Sequence, residues 1–194
     1  MQTKKDLKEE IVALKKQISS LKKLAYKDHL TGLLNRRYFE ESIQLLISQY
    51  LSNRSKLTPR RGFIVNSLSL VIIDIDNFKK INDKYGHLVG DEVIKHLARL
   101  IKKGTRRNDL VARLGGEELI IGLVGSEIES SIQITEKLLQ TLNTDEFKPS
   151  YTFSAGVSTL SNETSDYLSL YEKADKALYI AKKQGKNRVV AASH

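Results

Sequence analysis

Residues 68–75 read Leu68-Ser-Leu-Val-Ile-Ile-Asp-Ile75, an almost continuous apolar run of eight residues. Aliphatic side chains over this length, without glycine or proline, predict a strand that is buried in the centre of a sheet. Two carboxylates, Asp74 and Asp76, stand at the C-terminal end of the run, where α/β folds place their ligands. A carboxylate is costly to bury unless a positive group meets it. The run therefore predicts both the middle of the fold and a charged site at its edge.

Helices and strands alternate on both sides of this strand. Upstream, the segment Leu30–Ser48 is predicted to turn at Thr31-Gly32 and continue as a helix, and residues 52–67 are predicted to form an exposed loop. Downstream, helices are predicted at 78–85, from Gly90 to just before Gly104, at 127–142 and at 166–184. The predicted strands are 110–114, 119–124, 151–160 and 188–191. This alternation, with one hairpin, predicts an α/β class with a mixed central sheet flanked by helices.

The N-terminal residues 3–27 are predicted to form one helix. Its apolar residues alternate spacings of four and three, the a/d seam of a left-handed coiled coil, at Leu7, Ile11, Leu14, Ile18, Leu21 and Ala25. An amphipathic helix lying on its own domain is the alternative, but lysine and glutamate fill most other positions. The seam favours a coiled coil over residues 1–27 that pairs two chains, followed by a domain over residues 28–194.

A second pair of carboxylates, Glu117 and Glu118, follows Gly115 and Gly116 at the tip of the predicted hairpin. The two glycines allow positive φ and would let a phosphate approach the backbone closely. If this hairpin lies beside the 68–75 strand, both acidic pairs converge, and converging carboxylates bind Mg²⁺. Each feature alone is more often structural: a capped strand end, or a solvated turn. Together they favour metal-assisted phosphoryl chemistry.

The composition limits which kinds of binding partner are expected. The formal charge of +9 is consistent with a lysine-rich surface or with a polyanionic partner. The basic runs are short and lack interleaved aromatic residues, which disfavours nucleic acid. The chain has no cysteine, compatible with a cytoplasmic location, so any metal must be held by oxygen or histidine. No apolar run approaches the roughly 20 residues of a membrane helix, so no membrane segment is predicted.

Five motifs in this order resemble the GGDEF-domain diguanylate cyclases, over residues of about 25 to 191. They are Asp28-His-Leu-Thr-Gly-Leu-Leu-Asn-Arg-Arg37, Asp74-Ile-Asp-Asn-Phe-Lys-Lys-Ile-Asn-Asp83 with Tyr85-Gly-His-x-x-Gly-Asp91, Arg113-Leu-Gly-Gly-Glu-Glu-Leu119, Ala174-Asp-Lys-Ala-Leu-Tyr179, and Ala181-Lys-x-x-Gly-Lys-Asn187. Leu119 stands where phenylalanine is usual. The resemblance implies a palm-like nucleotidyl cyclase fold and the condensation of two GTP molecules into cyclic di-GMP by a homodimer.

The resemblance also implies roles for individual residues. Two Mg²⁺ ions per GTP, or Mn²⁺ in their place, would be held by Asp74, the Ile75 carbonyl, Glu117 and Glu118. Either Glu117 or Glu118 would be the catalytic proton acceptor. The residues implied to bind GTP are Asn82, His87, Asp91, Gly115, Gly116, Lys182 and Lys186. A carboxylate at Asp91 can accept both guanine N1–H and N2–H₂, whereas adenine presents an acceptor at N1, which favours GTP over ATP. Asp91 could instead cap a helix behind Gly90.

With five residues between Asp109 and Gly115, Arg106 and Asp109 fit the R-x-x-D pattern, which in this family is the product-inhibition site. A second arginine that members add is not found between Arg113 and Arg188, and Lys137 is the best local substitute. Three other functions stay open: a module that only binds cyclic di-GMP, a cyclase that makes a mixed dinucleotide, and a nucleic-acid-binding protein. The intact Gly-Gly-Glu-Glu turn argues against a module that only binds cyclic di-GMP. Asp91 argues against a mixed dinucleotide, and the absence of aromatic residues within the basic runs argues against nucleic acid.

Overall fold

A computed structural model of the chain describes residues 10–15, 21, 25–54, 65–161 and 164–192. The central feature is a mixed sheet of six strands in the order β1-β3-β4-β2-β5-β6. The strands are β1 Leu34–Asn35, β2 Leu68–Ile75, β3 Leu110–Gly115, β4 Glu118–Val124, β5 Phe153–Thr159 and β6 Val189–Ala191. The helices are α1 Arg36–Arg54, α2 Phe78–Tyr85, α3 His87–Gly104, α4 Ile128–Asn143 and α5 Tyr167–Lys183. The predicted α/β class with a mixed sheet is confirmed.

The apolar run at 68–75 is the central strand, as predicted, because it is hydrogen-bonded on both sides. β2 pairs antiparallel with β4 and with β5, and all eight of its residues are buried. Its alternate residues supply two cores. Val71 and Ile73 pack on the side of α3 and α4, and Leu70 and Ile72 pack on the side of α1 and α5. Successive side chains of a strand point to opposite faces of the sheet, so Asp74 lies on the same face as Leu70 and Ile72, the face that α1 and α5 cover.

Several predicted boundaries were wrong. α1 begins at Arg36 rather than directly after the Thr31-Gly32 turn, because Leu34 and Asn35 form a short strand parallel to β3. The same helix continues to Arg54, past the predicted loop start at residue 52. The third helix begins at His87, not at Gly90, since Gly86 with φ 83° provides its N-cap. Short polar turns define these boundaries, and periodicity does not resolve them.

The predicted N-terminal helix is described only in part. Residues 10–15, 21 and 25–26 are helical, whereas Lys27, the last residue of the predicted helix, forms a β-bridge with Leu34. Residues 3–9, 16–20 and 22–24 of the predicted segment lie outside the described residues, as do residues 55–64 of the predicted loop. The seam residues Ile11, Leu14 and Leu21 are exposed in the single chain. Within the described ranges, none of the helices has the length and apolar character needed to cross a membrane.

Candidate active site

The two acidic motifs meet across neighbouring strands. In the antiparallel register of β2 and β4, Asp74 lies directly opposite Glu118, with Glu117 next to it in the turn. Like charges at directly opposed positions repel one another, so this register is unfavourable unless a cation is close. The convergence that the sequence predicted for neighbouring strands is therefore present.

Lys182 supplies that cation. Its Nζ lies 2.8 Å from Oδ2 of Asp74, although 108 residues separate the two in sequence (182 − 74). Helix α5 carries Lys182 and packs closely on β5 at Gly156, where a Cβ would overlap the carbonyl oxygen of Ala174 and the amide nitrogen of Leu178. The absence of a side chain at position 156 thus allows α5 to bring Lys182 over the end of β2.

The electrostatics of the site favour a further cation. Burial raises the pKa of Asp74, and Glu117 and Asp76 raise it further, while the Lys182 ammonium opposes the shift. Burial also raises the pKa of Glu118, with contributions from the charges of Asp74 and Glu117. Both shifts reflect carboxylates whose negative charge is poorly compensated, and a divalent cation would stabilise their ionised forms.

The donor atoms suit a hard metal ion, because carboxylates and a backbone carbonyl are the oxygen ligands that Mg²⁺ prefers. Among the side chains that the structure describes, no group of three or more acidic or histidine residues is already assembled as a metal site. Asp74 is paired with Lys182 instead. The residues present fit Mg²⁺ by their chemistry and their convergence.

Asp76, the second carboxylate of the strand end, has a structural role. It is 4% exposed and accepts hydrogen bonds from Thr152 Oγ1 at 2.6 Å, Ser154 Oγ at 2.7 Å and the Asn187 amide at 3.0 Å. These bonds join the end of β2 to β5 and to the turn after α5. The two carboxylates of the Asp-x-Asp pattern are therefore not equivalent.

The glycines of the hairpin are required by backbone conformation. Gly115 has φ 149° and Gly116 has φ 52°, and a Cβ at either position would meet no atom within 4 Å. Glycines at positive φ with open space beside them would allow a phosphate to come close to the backbone of the turn. The turn is held by Arg113, whose Nε donates to the Gly116 carbonyl at 2.9 Å and whose Nη1 lies 3.2 Å from Asp28 Oδ2.

Arg113 and Asp28 belong to two of the sequence motifs, but no role was predicted for either of them. Asp28 also accepts from the Thr31 amide and hydroxyl, and Asn35 Nδ2 donates to the Ala25 carbonyl at 2.8 Å. Together these bonds connect the end of the N-terminal helix to the acidic turn. Only the pairing of β1 with β3 brings these groups together, so a sequence pattern could not have shown it.

The residues expected to read guanine lie where α2 meets α3. Asn82 Oδ1 is buried and has no hydrogen-bond partner within the described part of the chain. Gly90 lies directly against it, since a Cβ there would overlap Asn82 Oδ1. Asp91 is half-buried and lies inside α3, because the helix begins four residues earlier at His87. Asp91 therefore does not cap the helix. The buried Asn82 Oδ1, which has no donor among the described residues, suits an N–H of a ligand.

His87 and Lys186, the other two residues expected to contact GTP here, have different surroundings. His87 is exposed at the start of α3. Lys186, with φ 64°, donates from Nζ to Asn77 Oδ1 at 2.6 Å. Lys182 and Lys186 thus both contact polar groups at the C-terminal end of β2.

The R-x-x-D residues have unequal surroundings. Asp109 is 6% exposed, and its two oxygens accept from the Val124 amide at 3.1 Å and the Arg106 amide at 2.7 Å. Arg106 is exposed. A cavity of about 400 Å³ beside Asp109 is lined by several cations, Lys27, Arg99, Lys102 and Arg107. Lys137, the substitute expected from the sequence, is not among the residues that line this cavity.

Comparison with known proteins gives a consistent result. Residues 25–188 match the family described as "Diguanylate cyclase, GGDEF domain". Diguanylate cyclase DgcM of Escherichia coli K12 is 37% identical over 186 residues, which cover 94% of this chain and 42% of the relative. The uncharacterized protein YtrP of Bacillus subtilis is 39% identical over 88% of this chain and 27% of its own length. The chain spans less than half the length of these relatives.

Solved structures show the same fold. The coiled coil and GGDEF domain of DgcB from Caulobacter crescentus, in complex with c-di-GMP, has a TM-score of 0.81, 27% identity and 96% coverage of both chains. The active GGEEF domain of a diguanylate cyclase from Vibrio cholerae has a TM-score of 0.74 and 33% identity, covering 84% of this chain and 99% of that one.

Proposed function

The chain belongs to the GGDEF diguanylate cyclase family, and from this premise we propose that it condenses two GTP molecules into cyclic di-GMP and two pyrophosphates. The observation that carries the proposal is the meeting of Asp74, Glu118 and Lys182 at one end of β2, beside the open Gly115-Gly116 turn. This end of β2 would thus provide carboxylates that can bind a metal ion, a lysine that can bind phosphate, and space for a phosphate to approach the backbone of the turn.

The proposed reaction has two equivalent steps. The ribose 3′-oxygen of one GTP forms a bond to the α-phosphorus of the other, the bond from that phosphorus to pyrophosphate breaks, and the 3′-hydroxyl proton passes to Glu117 or Glu118. Two Mg²⁺ ions per GTP, or Mn²⁺, would be held by Asp74, the Ile75 carbonyl, Glu117 and Glu118 and would neutralise phosphate charge. Lys182 and Lys186 would contact the phosphates.

Guanine selection is assigned to Asn82 and Asp91. The buried Asn82 oxygen without a donor would accept an N–H of the base, and the Asp91 carboxylate would accept two more. His87 would contact the substrate from the exposed start of α3. Adenine cannot satisfy the Asp91 carboxylate, and a site that leaves buried polar groups unpaired rejects a ligand strongly.

The test is the product formed from GTP and Mg²⁺, identified by chromatography and repeated with ATP present. Asp74→Asn and Glu117→Gln remove charge that would hold the metal, and we expect turnover to fall by at least about a hundredfold with the fold retained. Glu136→Gln, an exposed carboxylate on α4, is the matched control and should keep normal turnover. Near-normal cyclic di-GMP synthesis by either site variant would contradict the proposal, and a mixed dinucleotide would revise the base selection.

We further propose that cyclic di-GMP inhibits the enzyme at Arg106 and Asp109. Arg106→Ala removes an exposed guanidinium that can stack on guanine and pair with phosphate, so product affinity should weaken by roughly tenfold. Calorimetry with cyclic di-GMP measures this. Arg106→Lys is the comparison, because it keeps the charge and loses the planar fork. Unchanged affinity in Arg106→Ala would mean that the R-x-x-D match has no role in inhibition.

Pairing of two chains is part of the proposed mechanism, since each 3′-hydroxyl must reach the α-phosphate on the partner. The exposed seam residues Ile11, Leu14 and Leu21 would form that contact in a parallel coiled coil. Parallel pairing brings both catalytic domains to the same end and raises their effective concentration. We propose a cytoplasmic location for this domain, where GTP and Mg²⁺ are present.

A further inference from the structure

Helix α2 has two functional faces. One face carries Asn82 towards α3 and the proposed guanine site. The opposite face carries Lys80, Ile81 and Lys84, which line a separate groove of about 950 Å³ between α2 and the segment that joins α4 to β5. A groove of this volume is within the roughly 300–1,000 Å³ range of small-molecule sites.

The groove is positively charged. Lys80, Lys84 and Lys148 line it, and within the described residues none of the three has a carboxylate within 4.0 Å of its ammonium group. The two carboxylates of the lining are engaged elsewhere. Asp76 accepts the three hydrogen bonds described above, and Asp145 accepts from the Phe147 amide at 2.8 Å and lies 3.5 Å from His96 Nε2. The three lysines outnumber the two carboxylates, so the groove keeps a small excess of positive charge, which favours an anion.

Part of the remaining lining is apolar and aromatic. Ile81, Leu142 and Tyr151 contribute to it and are buried in the fold, and Phe147 contributes as a half-buried ring. Phe147 and Tyr151 are held in place by His96, which stacks on Phe147 at 4.1 Å and hydrogen-bonds Tyr151 at 2.7 Å. A fixed apolar floor below a rim of lysines matches a molecule with a flat ring and a charged end.

The groove borders the substrate site without being part of it. Asn77 lines the groove, and its side-chain oxygen accepts from Lys186, one of the residues proposed to bind phosphate. Neither Asn82 nor Asp91 lines it. We propose that this groove is a second ligand site, distinct from the GTP site, which binds a small phosphate-bearing molecule with a flat ring, the class to which nucleotides belong.

The test uses ATP as the probe, because Asp91 disfavours adenine in the guanine site. Calorimetry on the full chain, in magnesium-free buffer and without turnover, should show saturable one-to-one binding below about 1 mM. Lys80→Glu with Lys84→Glu should weaken it by at least about tenfold, since two attractions become repulsions. Ser150→Trp, at an exposed lining position, should weaken it by filling the groove without a charge change.

The matched control is Lys79→Glu with Lys103→Glu, which makes the same charge change at exposed positions outside the groove and should bind ATP within about twofold of the unmodified chain. Three results would overturn the proposal: no saturable binding, equal weakening in both double variants, or loss of binding in Lys182→Ala with retention in Lys80→Glu/Lys84→Glu. Because no product is measured, these outcomes are independent of whether the chain is a cyclase.

Discussion

Asp74 and Asp76 show how differently two carboxylates of one strand end are used. Asp74 faces Glu118 and Lys182, has a raised pKa and is paired with a cation that a ligand can replace. Asp76 accepts three hydrogen bonds from neutral donors, two hydroxyl groups and a backbone amide. Removing a partner from either would leave a buried carboxylate less well satisfied, and of the two we propose only Asp74 as a metal ligand.

At the same scale, His96 predicts a pH dependence of stability. Burial lowers its pKa below the ordinary 6.5, and Arg99 adds to this while Asp145 opposes it. Above the ordinary pKa the ring is neutral in the folded and unfolded states, so its stabilising contribution is complete. As the pH falls below that value the unfolded chain takes up the proton first, and the free energy of unfolding decreases until the folded pKa is passed.

Urea unfolding at about pH 7.5 and about pH 5 measures this effect. We expect the loss of stability between the two pH values to be smaller in His96→Gln than in the unmodified chain, because the variant side chain does not titrate. His29→Gln is the control, since the His29 side chain is 93% exposed. An identical pH response in His96→Gln and the unmodified chain would contradict the assignment.

At the scale of elements, the site depends on how closely α5 approaches the sheet. The antiparallel register of β2 and β4 sets Asp74 opposite Glu118, whereas Lys182 arrives from a helix that follows β5. Gly156 makes that approach possible, because α5 backbone atoms occupy the space where its side chain would be. Strand register and helix packing therefore position different members of the same charge cluster.

Gly156→Ala should destabilise the fold by about 1–3 kcal/mol, since backbone atoms of α5 cannot rotate away from the new methyl group. The displaced helix should also move Lys182 from Asp74 and lower turnover. Urea unfolding and product formation measure the two effects.

Gly104→Ala is the comparison, because a Cβ there would meet only the end of the Leu138 side chain, which can change rotamer. Equal stability of Gly156→Ala and the unmodified chain, or an equal loss in Gly104→Ala, would argue against the role given to Gly156.

At the scale of the whole molecule, the proposed reaction requires two domains to face each other. The described part of the N-terminal helix exposes Ile11, Val12 and Leu14 at 50%, 67% and 49%. Ile11 and Leu14 lie on the predicted a/d seam, whereas Val12 does not. Because all three are exposed apolar side chains, a substitution in the seam at Ile11 can be compared with the same substitution outside it at Val12.

Ile11→Lys should break pairing, because it places two like charges against each other in the seam, and Val12→Lys adds the same charge outside it. Below the dimer dissociation constant, specific activity of Ile11→Lys should fall by about tenfold or more and recover at high protein concentration. Light scattering and turnover across a dilution series measure both. A monomeric Ile11→Lys that is fully active when dilute would refute the role of the helix and leave the cyclase proposal intact.

Much of this molecule could be predicted from local patterns. The boundaries of β2 and α2 agree with the prediction to the residue, since a buried strand and a short helix bounded by turns have strong local signals. β1 and the start of α3 could not be predicted in this way. A two-residue strand has no period, and Gly86 ends one helix and begins the next through its own backbone conformation.

The amino-acid sequence by itself determined the mixed α/β class, the central strand, the acidic hairpin turn and the family, because these depend on periodicity and on motifs within short stretches. Only the tertiary structure decided that Lys182 pairs with Asp74, that Asp76 and Asp109 accept backbone and hydroxyl hydrogen bonds, that Arg113 joins Asp28 to the Gly116 carbonyl, and that a lysine-lined groove lies behind α2. The reason is physical: these contacts join groups far apart along the chain, and their distances follow from strand order and helix packing rather than from sequence spacing.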